Sequence, residues 1–200
     1  NKYAVLGQSW GGMLGMQFAT HRPKGLEALV VCDSPASMDM WVSEANKLRQ
    51  DLPQEVEATL KKHEAAGTTE SEEYVTAVNV FYSRHLCRVP QPQDVIDSFT
   101  QLANDPTVYH TMNGPSEFYV IGSLKNWNIL DDLKKINVPT LLVSGAFDEA
   151  TPAMVAEIHR RIPGSVWELF PESSHMPHIE EPARFKRIVN AFLDAKLDSH

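Results

Sequence analysis

Basic residues are scarce in this chain: 18 Lys and Arg stand against 26 Asp and Glu in 200 residues, a net charge of -8. With no polybasic run either, the balance argues against a nucleic acid or an anionic membrane as partner, because phosphate binding needs a basic surface. No apolar stretch approaches the ~20 residues that span a bilayer. Cysteine is rarer still: Cys32 and Cys87 stand alone, without metal-ligand spacing, which excludes a disulfide scaffold. Cys32 ends an apolar run and reads as a buried free thiol, with a Cys32–Cys87 bridge as the minor alternative. A reducing, cytoplasmic setting is the default expectation. The chain also lacks internal repeats, low-complexity tails and the basic start of a signal peptide. It opens on Asn1 rather than Met; if upstream sequence is missing, a targeting segment goes with it.

What is present suits one packed domain, with 42% hydrophobic residues. Lys2 to Leu6 reads as a buried strand, Gly11 to Thr20 as a helix closed by Pro23-Lys24-Gly25, and Leu26 to Cys32 as a second strand. That second strand is nearly all apolar, as in a parallel sheet covered on both faces. Strand, helix and strand form one βαβ unit. Residues 36–128 differ: they are polar and helix-patterned, anchored by Trp41, Leu48, Val56, Leu60, Tyr74, Val78 and Phe81. Gly67-Thr68-Thr69 and Val89-Pro90-Gln91-Pro92 interrupt them. Sheet-like sequence then resumes, with strands at Val138–Gly145 and Ser165–Phe170, an intervening helix Pro152–Ile162 capped by Thr151, and a last helix Pro182–Leu197. The prediction is an α/β fold: a parallel-sheet core of residues 1–35 and 129–200, with residues 36–128 inserted as a helical cap.

The chemistry concentrates at sheet ends. Gly7-Gln8-Ser9-Trp10-Gly11 follows the first strand and opens the first helix, the arrangement that lifts a serine hydroxyl clear of a sheet on a tight turn. The flanking glycines are expected to be required because side chains there would collide with strand and helix. A serine hydroxyl needs a base and a group to orient that base. Asp148 follows the third strand, in Gly145-Ala146-Phe147-Asp148, and His175 follows the fourth, in Ser173-Ser174-His175-Met176-Pro177-His178. Both loops leave the carboxyl edge of a parallel sheet, where the elbow also points. On this reading His175 takes the Ser9 proton, Asp148 fixes the imidazole, and the backbone N–H of Trp10 donates to the oxyanion. The competing readings are a turn serine at Ser9, a helix-capping Asp148, and His178 as base; the other histidines have no matching context. No metal and no cofactor is implied, because this chemistry is complete without one.

Tyr109-His110-Thr111-Met112-Asn113-Gly114-Pro115-Ser116-Glu117-Phe118, with the elbow and Gly145-Ala146-Phe147-Asp148-Glu149, resembles the proline iminopeptidase family of α/β-hydrolases. The likeness is greatest to its tricorn-interacting aminopeptidase and L-amino-acid amidase branch, and it runs from residue 1 to about residue 195. It implies that Glu117 and Glu149 hold a substrate's free α-amino group, so that the partners are short peptides or amino-acid amides with a free N-terminus. Carboxylates facing an ammonium suit that task. Trp10, Phe118, Tyr119 and Trp127 either line an apolar pocket or pack in the core.

The departure from the family lies at the front, where its glycine-rich loop carrying the second oxyanion donor is absent. Loss of one such donor costs roughly 10²–10³ in rate, and the elbow strand becomes an exposed apolar edge. The expectation is therefore a serine aminopeptidase or amidase, poorly active by itself or completed by a missing N-terminal segment. The rivals are an esterase with the same triad and a catalytically silent fragment or interaction module.

Overall fold

The structure, a computed structural model, describes residues 2–197; Asn1 and His200, which fall within the sequence-predicted core segments, lie outside the described residues. Among the described residues four strands form one sheet: β1 (Tyr3–Gln8), β2 (Leu26–Cys32), β3 (Thr140–Gly145) and β4 (Val166–Phe170). They lie in sequence order, and every neighbouring pair is parallel. β1 runs two residues beyond the predicted Leu6, because Gly7 and Gln8 stay paired with Val31 and Cys32. β3 starts at Thr140 rather than Val138; Pro139 has no N–H to give the ladder.

The apolar run of β2 is used on both faces, as alternation along a strand requires. Leu29 and Val31 face a layer built by Met13 and Met16 of α1 (Trp10–Thr20) and Met154, Val155 and Ile158 of α7 (Pro152–Arg161). Val30 and Cys32, with Leu141, Val143 and Phe170, face Val189 and Phe185 of α9 (Pro182–Leu197). Leu29 and Val30 are fully buried; truncating such a side chain costs about 2–5 kcal/mol. Thr151 caps α7 through Met154 N–H. β1 is an edge strand: Leu6 on it, and Trp10, Leu14 and Phe18 on α1, are exposed.

Between β2 and β3 come α2 (Met38–Arg49), α3 (Gln54–Ala66), α4 (Glu72–His85), α5 (Gln93–Asn104) and α6 (Thr107–Met112), then a 3-10 turn Leu130–Lys135. The chain leaves and rejoins the sheet layer at an isolated bridge between Ser37 and Asn128. Leu60, Tyr74, Val78, Phe81 and Phe118 form a separate apolar cluster of this region. Gly67 ends α3 in the left-handed conformation, φ 66°, where glycine carries no Cβ penalty. A short α8 (Pro177–Glu180), absent from the sequence prediction, follows the histidine loop.

Candidate active site

The elbow is strained. Ser9, between β1 and α1, has φ 53° and ψ -122°, a region that costs a non-glycine residue of order 1–3 kcal/mol unless its surroundings enforce it. They do: Ser9 N–H donates to the Cys32 carbonyl at 2.9 Å, while the Ser9 carbonyl accepts from Gly12 N, Met13 N and Ser34 Oγ. A Cβ on Gly7 would stand 2.1 Å from the Gly11 carbonyl, and one on Gly12 would stand 2.0 Å from Ser34 Oγ. The expectation for Gly11 is overturned: nothing lies within 4 Å of its ideal Cβ position. The close approach falls on Gly12 because that residue, not Gly11, faces the turn after β2. Trp10 begins α1, where first-turn N–H groups have no intrahelical acceptor and the helix end favours negative charge.

Asp148 and His175 meet. His175 Nδ1 lies 2.7 Å from Asp148 Oδ1, and both side chains are buried. Asp148 Oδ1 also accepts from Ala150 N at 2.8 Å. Burial alone would depress the His175 pKa, but Asp148, Glu117 and Glu180 outweigh it and hold the imidazole above its ordinary value. Among the described residues no hydrogen bond joins Ser9 to His175; the elbow reaches the histidine loop through Gln8, whose Nε2 donates to the His175 carbonyl at 3.0 Å. His178 stands apart, edge-on to Phe185, with its pKa lowered first by burial.

The histidine loop is fixed by carboxylates. Glu180 accepts from the backbone N–H groups of Ser174 and Met176 and from Ser174 Oγ. Glu181 accepts from Ser173 Oγ and Glu172 N. The Trp41 ring packs edge-on to His175 with centroids 6.1 Å apart.

A cavity of about 500 Å³ opens beside the elbow, lined by Ser9, Trp10, Trp41, Val108, Tyr109 and Glu117 among others. Glu117 Oε1 accepts from Tyr109 Oη at 2.7 Å, and desolvation raises its pKa. Glu149 is fully buried, and neither of its oxygens has a hydrogen-bond partner. Its Oε1 lies 3.9 Å from His175 Nε2, the ring nitrogen turned away from Asp148. Burial first, then the charges of Glu117 and Asp148, push Glu149 well above the usual carboxylate range.

The aromatic candidates divide. Trp10 lines the cavity, and Trp127 lines a smaller pocket against Trp10, Met13 and Leu14. Phe118 instead packs edge-on to Phe81, ring centroids 4.8 Å apart, inside the separate apolar cluster, and Tyr119 packs against the same cluster. Cys32 and Cys87 are free and buried. Gln8, Asp33, Tyr109 and Glu180 were not singled out in the sequence. Only Glu180 carried a signal, as one of two adjacent acids following the histidine loop.

A parallel sheet with helices on both faces, an elbow serine at the end of one strand and a buried His–Asp pair beyond two others define an α/β hydrolase. Residues 1–182 match the family described as alpha/beta hydrolase fold. Curated relatives include a proline iminopeptidase of Saccharolobus solfataricus, 36% identical over 97% of this chain and 63% of the relative. Another, from Thermoplasma volcanium, is 33% identical over 98% of this chain and 67% of the relative. Among solved structures, VinJ superposes with a TM-score of 0.95 at 49% identity, covering 98% of this chain and 66% of that one. Proline iminopeptidase from Mycobacterium smegmatis gives 0.90 at 47%, covering 100% and 67%. The chain belongs to the proline iminopeptidase family of α/β hydrolases and spans about two thirds of the length of these relatives. Among the described residues no helix is long and apolar enough to cross a membrane.

Proposed function

We propose that this chain carries the catalytic constellation of a serine aminopeptidase or amidase acting on substrates with a free α-amino group and an N-terminal proline or small apolar residue. One observation carries the reading: a buried carboxylate, Glu149, with both oxygens unpartnered, 3.9 Å from the nitrogen of His175 that faces away from Asp148. An uncompensated buried acid is costly to keep, and an incoming ammonium supplies the donors it lacks. Glu117, on the cavity wall, offers a second acceptor. Two carboxylates near one base fix the distance from a chain end to the scissile carbonyl, which is what an exopeptidase must measure.

In the chemistry this supports, Ser9 Oγ attacks the carbonyl carbon while His175 Nε2 takes its proton. Asp148 stabilises the imidazolium, and the Trp10 N–H faces the oxyanion. His175 then protonates the leaving amine, and water repeats the sequence on the acyl-enzyme, releasing the amino acid and freeing Ser9. The apolar wall of Trp10, Trp41 and Val108 suits a small apolar side chain.

Turnover by this polypeptide alone is proposed to be slow: among the described residues β1 is the outer strand of the sheet with apolar residues exposed on and beside it, and Trp10 is the one oxyanion donor the reading assigns. Proline arylamide, its N-acetylated form and a short-chain ester test the reading together with fluorophosphonate labelling. Labelling at Ser9 with preference for the free amine is expected. Equal turnover of free and blocked substrates overturns the amine site in favour of an esterase, and no labelling of folded protein points to a catalytically silent module.

A further inference from the structure

β2 is followed by an acid that the chemistry above leaves unused. Asp33 has φ 54°, a left-handed conformation that side chains seldom hold, and its N–H donates to the Val143 carbonyl on β3 at 2.9 Å. Its side chain is fully buried, and neither carboxylate oxygen has a hydrogen-bond partner. Asp148 Oδ2 is likewise unpartnered, its other oxygen being taken by His175 and Ala150. Asp33 follows β2 and Asp148 follows β3, the strand paired with it, so three unpartnered carboxylate oxygens are buried at neighbouring strand ends, and the two acids feel each other's charge.

Two ionised carboxylates offer each other only acceptors, which leaves the oxygens of both orphaned and their charges repelling at short range. One proton removes both problems. Placed on Asp33, it makes that residue a donor to Asp148 Oδ2 and leaves Asp148 ionised for His175. The surroundings favour this placement. Burial first, then Asp148, push Asp33 well above the usual carboxylate range, and Glu180 adds to the effect from beyond β4. The Cys32 thiol, which precedes it at the end of β2, is likewise raised first by burial. The Gly145 amide works the other way, without reaching hydrogen-bond geometry.

We propose that Asp33 is held as a neutral carboxylic acid that donates a hydrogen bond to Asp148 Oδ2, making it a positioning residue for the Asp148–His175 pair. The bond fixes the carboxylate plane so that Oδ1 meets His175 Nδ1. It also tempers the basicity of Asp148, so the imidazolium proton stays on His175 when Ser9 is deprotonated. The catalytic consequence rests on the triad reading above; the protonated acid itself does not.

The first measurement needs no turnover. The infrared difference spectrum of the 200-residue protein minus its Asp33→Asn variant, at neutral pH, is expected to show the carbonyl stretch of a protonated carboxylic acid. A carboxylate band in its place overturns the proposal, whether or not Ser9 proves to be a nucleophile. The second uses fluorophosphonate labelling of Ser9 against pH. Asn keeps an N–H donor, so Asp33→Asn is expected to label within about threefold of the parent, with the acid limb of the profile unmoved. If Asp33 were ionised, Asn would remove a negative charge near His175 and shift that limb to lower pH, which overturns the proposal. Asp33→Ala removes the donor and is expected to slow labelling roughly tenfold, the scale of one charge-assisted hydrogen bond. Its acid limb is expected at higher pH, because Asp148 loses the donor that tempered it. A silent wild-type Ser9 with the acid band present refutes the triad and keeps the neutral Asp33.

Discussion

Gln8 Nε2 donates to the backbone carbonyl of His175 at 3.0 Å, so the residue before the elbow serine holds the histidine loop. The bond joins β1, on one edge of the sheet, to the loop after β4, on the other. Gln8→Leu removes the donor and leaves a carbonyl in need of a partner. Stability is expected to fall by about 1 kcal/mol, read as a lower midpoint in urea. Fluorophosphonate labelling of Ser9 is expected to slow about tenfold or more as the histidine loop loses its register. Unchanged labelling would show that Glu180 and Glu181 fix the loop without Gln8.

The triad assignment predicts a steep loss in one variant. Asp148→Asn preserves shape but removes the charge that orients His175. By analogy with serine proteases, turnover should fall by as much as ~10⁴, measured as kcat on a proline arylamide. The same change lowers the His175 pKa, because its principal supporting charge is gone.

The pH profile follows from that support. On the proposed reading His175 takes a proton only when neutral, and its pKa is raised by Asp148, Glu117 and Glu180 against the pull of burial. The acid limb of kcat/KM is therefore expected above the ~6.5 of an unperturbed histidine. A limb below that value would mean that desolvation wins.

Glu149→Gln separates function from stability. Turnover of free-amine substrates is expected to fall through KM by at least about tenfold, while an ester lacking the amine is little affected. Stability should change with the opposite sign. The folded pKa of Glu149 is raised, first by burial, so the folded state binds its proton more tightly than the unfolded chain does. The associated stability is fully present below the unfolded pKa of ~4.3 and is lost as pH rises through the folded value. The variant should gain most in melting temperature near pH 8 and least near pH 4, as a thermal scan across pH would show.

Three neighbouring glycines should respond differently to one methyl group. Gly7→Ala meets backbone at 2.1 Å and Gly12→Ala meets Ser34 Oγ at 2.0 Å, whereas Gly11→Ala meets nothing. Overpacking of this kind costs about 1–3 kcal/mol or more. Expression yield and melting temperature should fall for the first two and hold for the third; a destabilised Gly11→Ala would contradict the geometry.

Much of the candidate site was legible because its signals are local. The apolar run Leu26–Cys32, the elbow pentapeptide and the acids and histidine after later strands announce themselves within a few residues each. Parallel strands send such loops to one sheet edge. Thr151 before Pro152 marked a helix start by its own cap chemistry. The glycine assignment failed at Gly11 because motif spacing shows that a turn is tight but not which neighbour fills the space. Phe118 and Tyr119 sit beside Glu117 in sequence, yet pack into the cap cluster while Glu117 lines the cavity. A few residues of non-helical chain can send adjacent side chains to different surroundings, and composition does not say which.

The sequence by itself determined the α/β class and the chain order of serine, acid and histidine, because both follow from periodicity and turn chemistry. Only the tertiary structure decided which groups share a hydrogen bond or a proton. Gln8 and His175 lie 167 positions apart. Asp33 and Asp148 follow paired strands but stand more than a hundred positions apart in the chain, and Glu149 is left without a hydrogen-bond partner beside His175. These relations depend on strand register and on the exclusion of water, which arise only when distant segments pack together.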